Sequence, residues 1–244
     1  MPPRKSSYWS ATREPRYSLT FAFPLLVLYE LLAFSLTHDS INGVRNGADV
    51  LLKSLFVVLG GRRGLIVFGV LLIGTGVWLV WKDRKAHGPA VAKYFLGMML
   101  ESILYAFCFG MVAGTLTAIL LHGPQFLALG PIQNLSLPTQ LMISLGAGLY
   151  EELLFRVIIV SALARMARVL FGWKPLSAGI FATVVGALIF SAFHYIGPFG
   201  DPLELNSFVF RMISGLLLSA LYLLRGFGVA AWTHALYDVM LALR

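Results

Sequence analysis

Three groups of ionisable residues sit inside stretches otherwise apolar enough to span a bilayer: Glu151, Glu152 and Arg156; then His194; then His234 and Asp238. A charge at membrane depth costs about 2.5 to 3.5 kcal/mol on insertion scales, so it is rarely placed there without a partner or a task. Carboxylates and imidazoles together can take a proton from water, hold a metal or stabilise an oxyanion. Six such groups on three segments point to one shared polar site.

The first group is Tyr150-Glu151-Glu152-Leu153-Leu154-Phe155-Arg156. On a helix Glu152 and Arg156 lie one turn apart, in the favourable order of acid before cation, and can neutralise one another. Glu151 points about 100° away and has no local cationic partner, which suits it to accept a proton from water. The second group, Phe190-Ser191-Ala192-Phe193-His194, closes an apolar run that stops at Gly197-Pro198. The third, Trp232-Thr233-His234-Ala235-Leu236-Tyr237-Asp238, sets an imidazole and a carboxylate on one helix face. Each group taken alone also suits plain hydrogen bonding between helices.

These residues must be positioned by a membrane bundle. The chain is 244 residues long, 58% hydrophobic and only 12% charged, with mean hydropathy +0.81. Soluble domains run at about 25% charged residues. The net charge of +8 falls mainly in short segments between apolar runs rather than on one soluble face, which argues for membrane orientation and against nucleic acid. Apolar spans are expected at Leu19–Leu36, Gly64–Trp81, Tyr94–Leu121, Thr139–Ala164, Leu176–Ile196, Ser207–Leu224 and Phe227–Leu243. Ala48–Gly60, carrying Asp49 and Lys53, is too short to cross by the rule of about 20 residues and reads as an interfacial or re-entrant helix. The first run lacks a small-residue cleavage site before His38 and reads as an uncleaved span. The fold expected is an all-α polytopic bundle of seven to eight transmembrane helices. It forms a single membrane-embedded domain over 1–244, with a tail at 1–17, amino-terminal helices at 18–122 and a motif-bearing core at 138–242. Among the glycines, Gly110, Gly114, Gly146 and Gly148 are the positions where helices could approach closely.

Lys and Arg collect in the amino-terminal tail, at 82–93, at 165–174 and at Arg225, alternating with the uncharged loop around Gly130 and an acidic loop holding Asp201 and Glu204. That bias puts the amino terminus in the cytoplasm, with Arg45, Arg62 and Arg63 against the trend. The chain fits a prokaryotic inner (cell) membrane.

Glu-Glu-x-x-x-Arg, Phe-x-x-x-His and His-x-x-x-Asp, in that order on successive apolar segments, resemble the CPBP family, the group of CAAX prenyl proteases and bacteriocin-processing proteins also called type II CAAX proteases or the ABI family. The likeness covers roughly 138–242 and extends to Phe208-Val209-Phe210-Arg211-Met212-Ile213-Ser214-Gly215; the first 130 residues add only membrane spans to it. The resemblance implies an intramembrane endopeptidase acting on a membrane-associated peptide or protein. Under it Glu151 is the general base, His194 holds or polarises the water, Glu152 is tied to Arg156, and His234 with position 238 stabilises the oxyanion. Asp238 departs from the Asn common in eukaryotic members; an ionised Asp cannot donate to an oxyanion, so bracing His234 is its expected role. Those eukaryotic members act on the cytosolic side, whereas the charge bias puts His194 toward the other end of its span.

Zinc is a further option, with Glu151, His194 and His234 as candidate ligands and a position left open for water, although His-Glu-x-x-His is absent. No cofactor is required by the pattern. Two alternatives explain buried acids and imidazoles without hydrolysis: a transporter or proton relay, and a scaffold or immunity protein.

Overall fold

The computed structural model describes residues 7–36, 44–122, 135–197 and 200–244, all helices and connections. Arg4 and Lys5 of the expected tail, most of the uncharged loop and Pro198 lie outside the described residues. The helices are α1 (Tyr8–Ala11), α2 (Pro15–Leu36), α3 (Gly47–His87), α4 (Ala92–Leu121) and α5 (Leu137–Gly146). A π-helix (Ala147–Val160) follows, then α6 (Ser161–Phe171), α7 (Pro175–Phe193), α8 (Leu205–Arg225) and α9 (Phe227–Ala242). The chain is an all-α membrane bundle.

Among the described residues five helices are long and apolar enough to cross a membrane: α2, α3, α4, α7 and α8. The other two expected spans are the run from α5 through α6, interrupted by the π-helix and its charges, and the shorter α9. Large apolar side chains such as Phe34, Val58, Leu96 and Leu176 project outward, a surface that lipid rather than water accommodates.

Gly61 separates α3 into two legs, at the boundary expected between the short helix and the following span. Its φ of 57° and ψ of −144° break the helix. The rings of Phe56 and Phe68 lie 5.3 Å apart, whereas twelve residues of straight helix rise about 18 Å. The first leg is thereby folded against the second.

At one end of the bundle Arg16 at the start of α2 pairs with Asp83 near the end of α3 at 3.0 Å. Arg225 at the end of α8 donates to Trp9 and Thr12 and pairs with Glu101 of α4. Three of the basic segments expected on one side of the membrane are therefore joined at one end. Arg45, expected against that trend, belongs to the other end, where Glu30 at 3.2 Å and Asp49 at 3.0 Å offset its charge.

A helix shorter than those five is central. α9 packs against α2, α4, α5, α8 and the π-helix. Its buried positions are small or medium, Gly228 to Ala231 and Thr233 to Ala235, so neighbours come close. A β-carbon at Gly148 would lie 2.3 Å from the Ala231 carbonyl oxygen, and one at Gly146 would lie 2.5 Å from the Tyr29 ring. Gly110 similarly receives Tyr237, whereas Gly114 has nothing within 4 Å.

Candidate functional site

The π-helix carries both glutamates. Wide i→i+5 winding is unusual and recurs at functional sites. Here the chain enters it through Gly146 and Gly148, where Tyr29 and the α9 backbone press directly on its own backbone. The close approach to α9 brings Glu152 Oε1 to 2.8 Å from His234 Nδ1. Arg156 Nη1 is 3.2 Å from the same oxygen, as an ion pair rather than an aligned hydrogen bond. Arg156 also lies over the Phe190 ring at 4.5 Å. Both residues are fully buried.

Glu151 turns the other way. Its Oε1 accepts a hydrogen bond of 2.8 Å from Asn46 Nδ2, at the start of α3. Its Oε2 is buried without a hydrogen-bond partner and lies 3.9 Å from His194 Nε2. That separation is too long for a direct hydrogen bond and suits a bridging water. His194 caps the carboxyl end of α7, with Nδ1 2.8 Å from the Phe190 carbonyl oxygen. A carbonyl only accepts, so Nδ1 carries the proton, and when the ring is neutral Nε2 presents its lone pair toward Glu151. Phe190 stands between the two imidazoles, its ring centroid 4.8 Å from that of His194 and 6.1 Å from that of His234.

A cavity of about 580 Å³ is lined by Glu151, His194, His234 and Asp238 together with residues of α3, α5 and α8. Four of the six sequence-selected residues thus face one space, while Glu152 and Arg156 lie behind it, against His234. Asp238 Oδ2 is 3.5 Å from His234 Nε2. The closer support of His234 is Glu152, because the contact at Gly148 sets the π-helix tightly on α9. Sequence spacing showed only the Asp238 partner, which lies on the same helix.

Glu151, His194 and His234, the candidate zinc ligands, line this one cavity, and among the described residues no three His, Cys, Asp or Glu side chains converge as metal ligands.

Arg211 and Asn46 also line the cavity, although neither was among the six sequence-selected residues. Arg211 of α8 pairs with Asp201, donates to Ser207 and lies over the Tyr195 ring. Asn46 comes from the half of the chain expected to contribute only spans. Val44 to Gly47, Val50, Leu51 and Ser54 also line the cavity, so the amino-terminal region forms one of its walls. The legible signal was Asn46 before Gly47-Ala48-Asp49, a helix-capping pattern. Its bond to a residue 105 positions away had no sequence signature.

Residues 133–240 match the family model described as Rce1-like, type II CAAX prenyl endopeptidase. Over this segment the chain is similar to the CPBP/CAAX protease family. With its long apolar helices it is an integral membrane protein. No curated protein and no solved structure matches the chain.

Proposed function

We propose that this protein is an intramembrane endopeptidase that hydrolyses a peptide bond of a membrane-associated protein or peptide with water activated by Glu151. The observation that carries the reading is the unpartnered Glu151 Oε2 facing His194 Nε2 across 3.9 Å beside a shared cavity. A water in that gap donates one proton toward Glu151 and the other toward the imidazole nitrogen. Glu151 removes its proton as the water oxygen bonds to the peptide carbonyl carbon. The negative charge moves to the carbonyl oxygen, where oriented donors stabilise it by about 2.7 to 4 kcal/mol each. His234 supplies Nε2–H for this role as an imidazolium: Nδ1–H donates to Glu152, a second proton sits on Nε2, and Asp238 at 3.5 Å orients the ring without closing a short bond. Collapse of the intermediate breaks the carbon–nitrogen bond, and the proton held by Glu151 passes to the departing amine.

Glu152 and Arg156 are positioning residues in this scheme, since they reach the chemistry through His234. Residues 138–242 form the motif-bearing core, with 18–122 as the amino-terminal helices of the same membrane domain. The joined basic segments at the Arg16–Asp83 end support a cytoplasmic amino terminus, tail 1–17 included, in a prokaryotic inner (cell) membrane. The cavity then lies toward the opposite end.

The test compares the peptides of membranes containing the wild type or Glu151→Gln. A peptide whose processing requires the carboxylate is the expected result. Unchanged processing by a folded Glu151→Gln variant removes Glu151 as the base.

A further inference from the structure

We infer that Asn46 is a positioning residue for Glu151, supplied from outside the family-matched segment; the inference rests on Glu151 acting as the base. The side chain is 3% exposed, and its two ends have separate partners. Oδ1 accepts from the backbone N–H of Ala48 at 2.9 Å and of Asp49 at 3.4 Å, capping α3. Backbone N–H groups only donate, so these contacts fix which end of the amide is oxygen and leave Nδ2–H₂ aimed at the carboxylate. Nδ2 then donates to Glu151 Oε1 at 2.8 Å.

The cap is itself anchored. The Asn46 backbone N–H donates to Tyr29 Oη at 3.3 Å, and that hydroxyl donates to Asp49 Oδ2 at 2.7 Å. Arg45 and Lys53 both pair with Asp49 and with Glu30 of α2, so the start of α3 is tied to α2. A side chain with one end built into a helix terminus has little freedom to follow a moving carboxylate. It pins the carboxylate by Oε1 and leaves Oε2 as the oxygen facing His194. Without the amide, rotation about the terminal torsion of Glu151, which is broad in glutamate, lets either oxygen turn away. Misplacement of a reacting group by about 1 Å costs on the order of 100-fold in rate.

Capping alone and positioning make different predictions for substitutions that preserve the cap. Ser and Asp cap about as well as Asn. The Ser hydroxyl is too short to reach Glu151 from the same backbone position, and an ionised Asp has no proton to donate. The assay uses a fluorogenic peptide built on the sequence whose processing in membranes depends on Glu151, with full-length protein in detergent and thermal unfolding measured in parallel. Positioning predicts that Asn46→Ser unfolds near the wild-type temperature, keeps KM and loses kcat by about 10- to 100-fold, whereas Asn46→Asp, which sets a second carboxylate against Glu151, loses stability as well as kcat. A folded variant of either kind with wild-type kcat overturns the inference, as does a loss in Asn46→Ser carried wholly in KM or in the unfolding temperature. Failure of the underlying reading is separate: an active Glu151→Gln removes the base itself, whatever Asn46 does.

Discussion

Arg225 and Glu151 are almost equally hidden, at 2% and 6% exposed, yet the two ends of the bundle use their charges differently. Arg225 gives every guanidinium nitrogen a partner: Nε to Glu101 at 2.8 Å, Nη1 to the Trp9 carbonyl at 3.0 Å, Nη2 to Thr12 at 2.9 Å. The rings of Tyr8 and Trp9 stack beside it. Glu151 has one oxygen held and the other left without a hydrogen bond at the edge of a cavity. A buried charge whose atoms are all satisfied acts as a clamp; a buried charge with one atom free and space before it can engage a substrate or water. Saturation, rather than depth, distinguishes them.

The strongest way to break that contrast is at Glu151. Replacement by Gln keeps the shape and removes the base, and turnover should fall by roughly 10² to 10⁴, the usual contribution of general acid–base catalysis, with little change in unfolding temperature. Arg225→Ala should invert the pattern. Removing one partner of a buried pair costs about 3 to 5 kcal/mol, so detergent unfolding should shift strongly down while turnover per folded molecule stays near wild type. A loss of turnover without a loss of stability would place Arg225 with the site instead.

Gly148→Ala sharpens the comparison by loosening what supports His234. The added methyl meets the Ala231 carbonyl, and overpacking of this kind costs about 1 to 3 kcal/mol. Because the same contact sets Glu152 against His234, activity per folded molecule should fall along with stability. The smallest effect is expected at His87, which is 56% exposed and shares Asp83 with the better-placed Arg16. His87→Ala should change unfolding by less than about 1 kcal/mol and leave turnover alone; a larger change would mean that this clamp depends on its exposed member.

Much of this was legible because a bilayer writes strong constraints into sequence. Five of the seven apolar runs match helices within four residues at either end, and even the interruption between Gly60 and Gly64 coincides with the break at Gly61. Glu151, His194, His234 and Asp238 stood out because charge at membrane depth is costly, and all four line one cavity. Asn46 did not stand out. An asparagine before a helix has a sufficient local explanation as a cap, and its second bond depends on where another helix lies. The π winding was hidden for the same reason: Tyr150 to Arg156 is compatible with an ordinary helix, and the tight contacts at Gly146 and Gly148 belong to the assembled bundle. The second partner of Glu152 was missed because spacing along one helix reveals only neighbours a turn away, such as Arg156.

The sequence by itself determined that the chain enters a membrane, which segments form its apolar helices and which charged side chains lie among them, since hydropathy and insertion cost act residue by residue. Only the tertiary structure decided which oxygen of Glu151 is held and which is free, that Glu152 serves His234 as well as Arg156, and that the start of α3 closes the cavity. Those outcomes turn on distances of a few ångströms between helices remote in the chain, and such distances are fixed by packing.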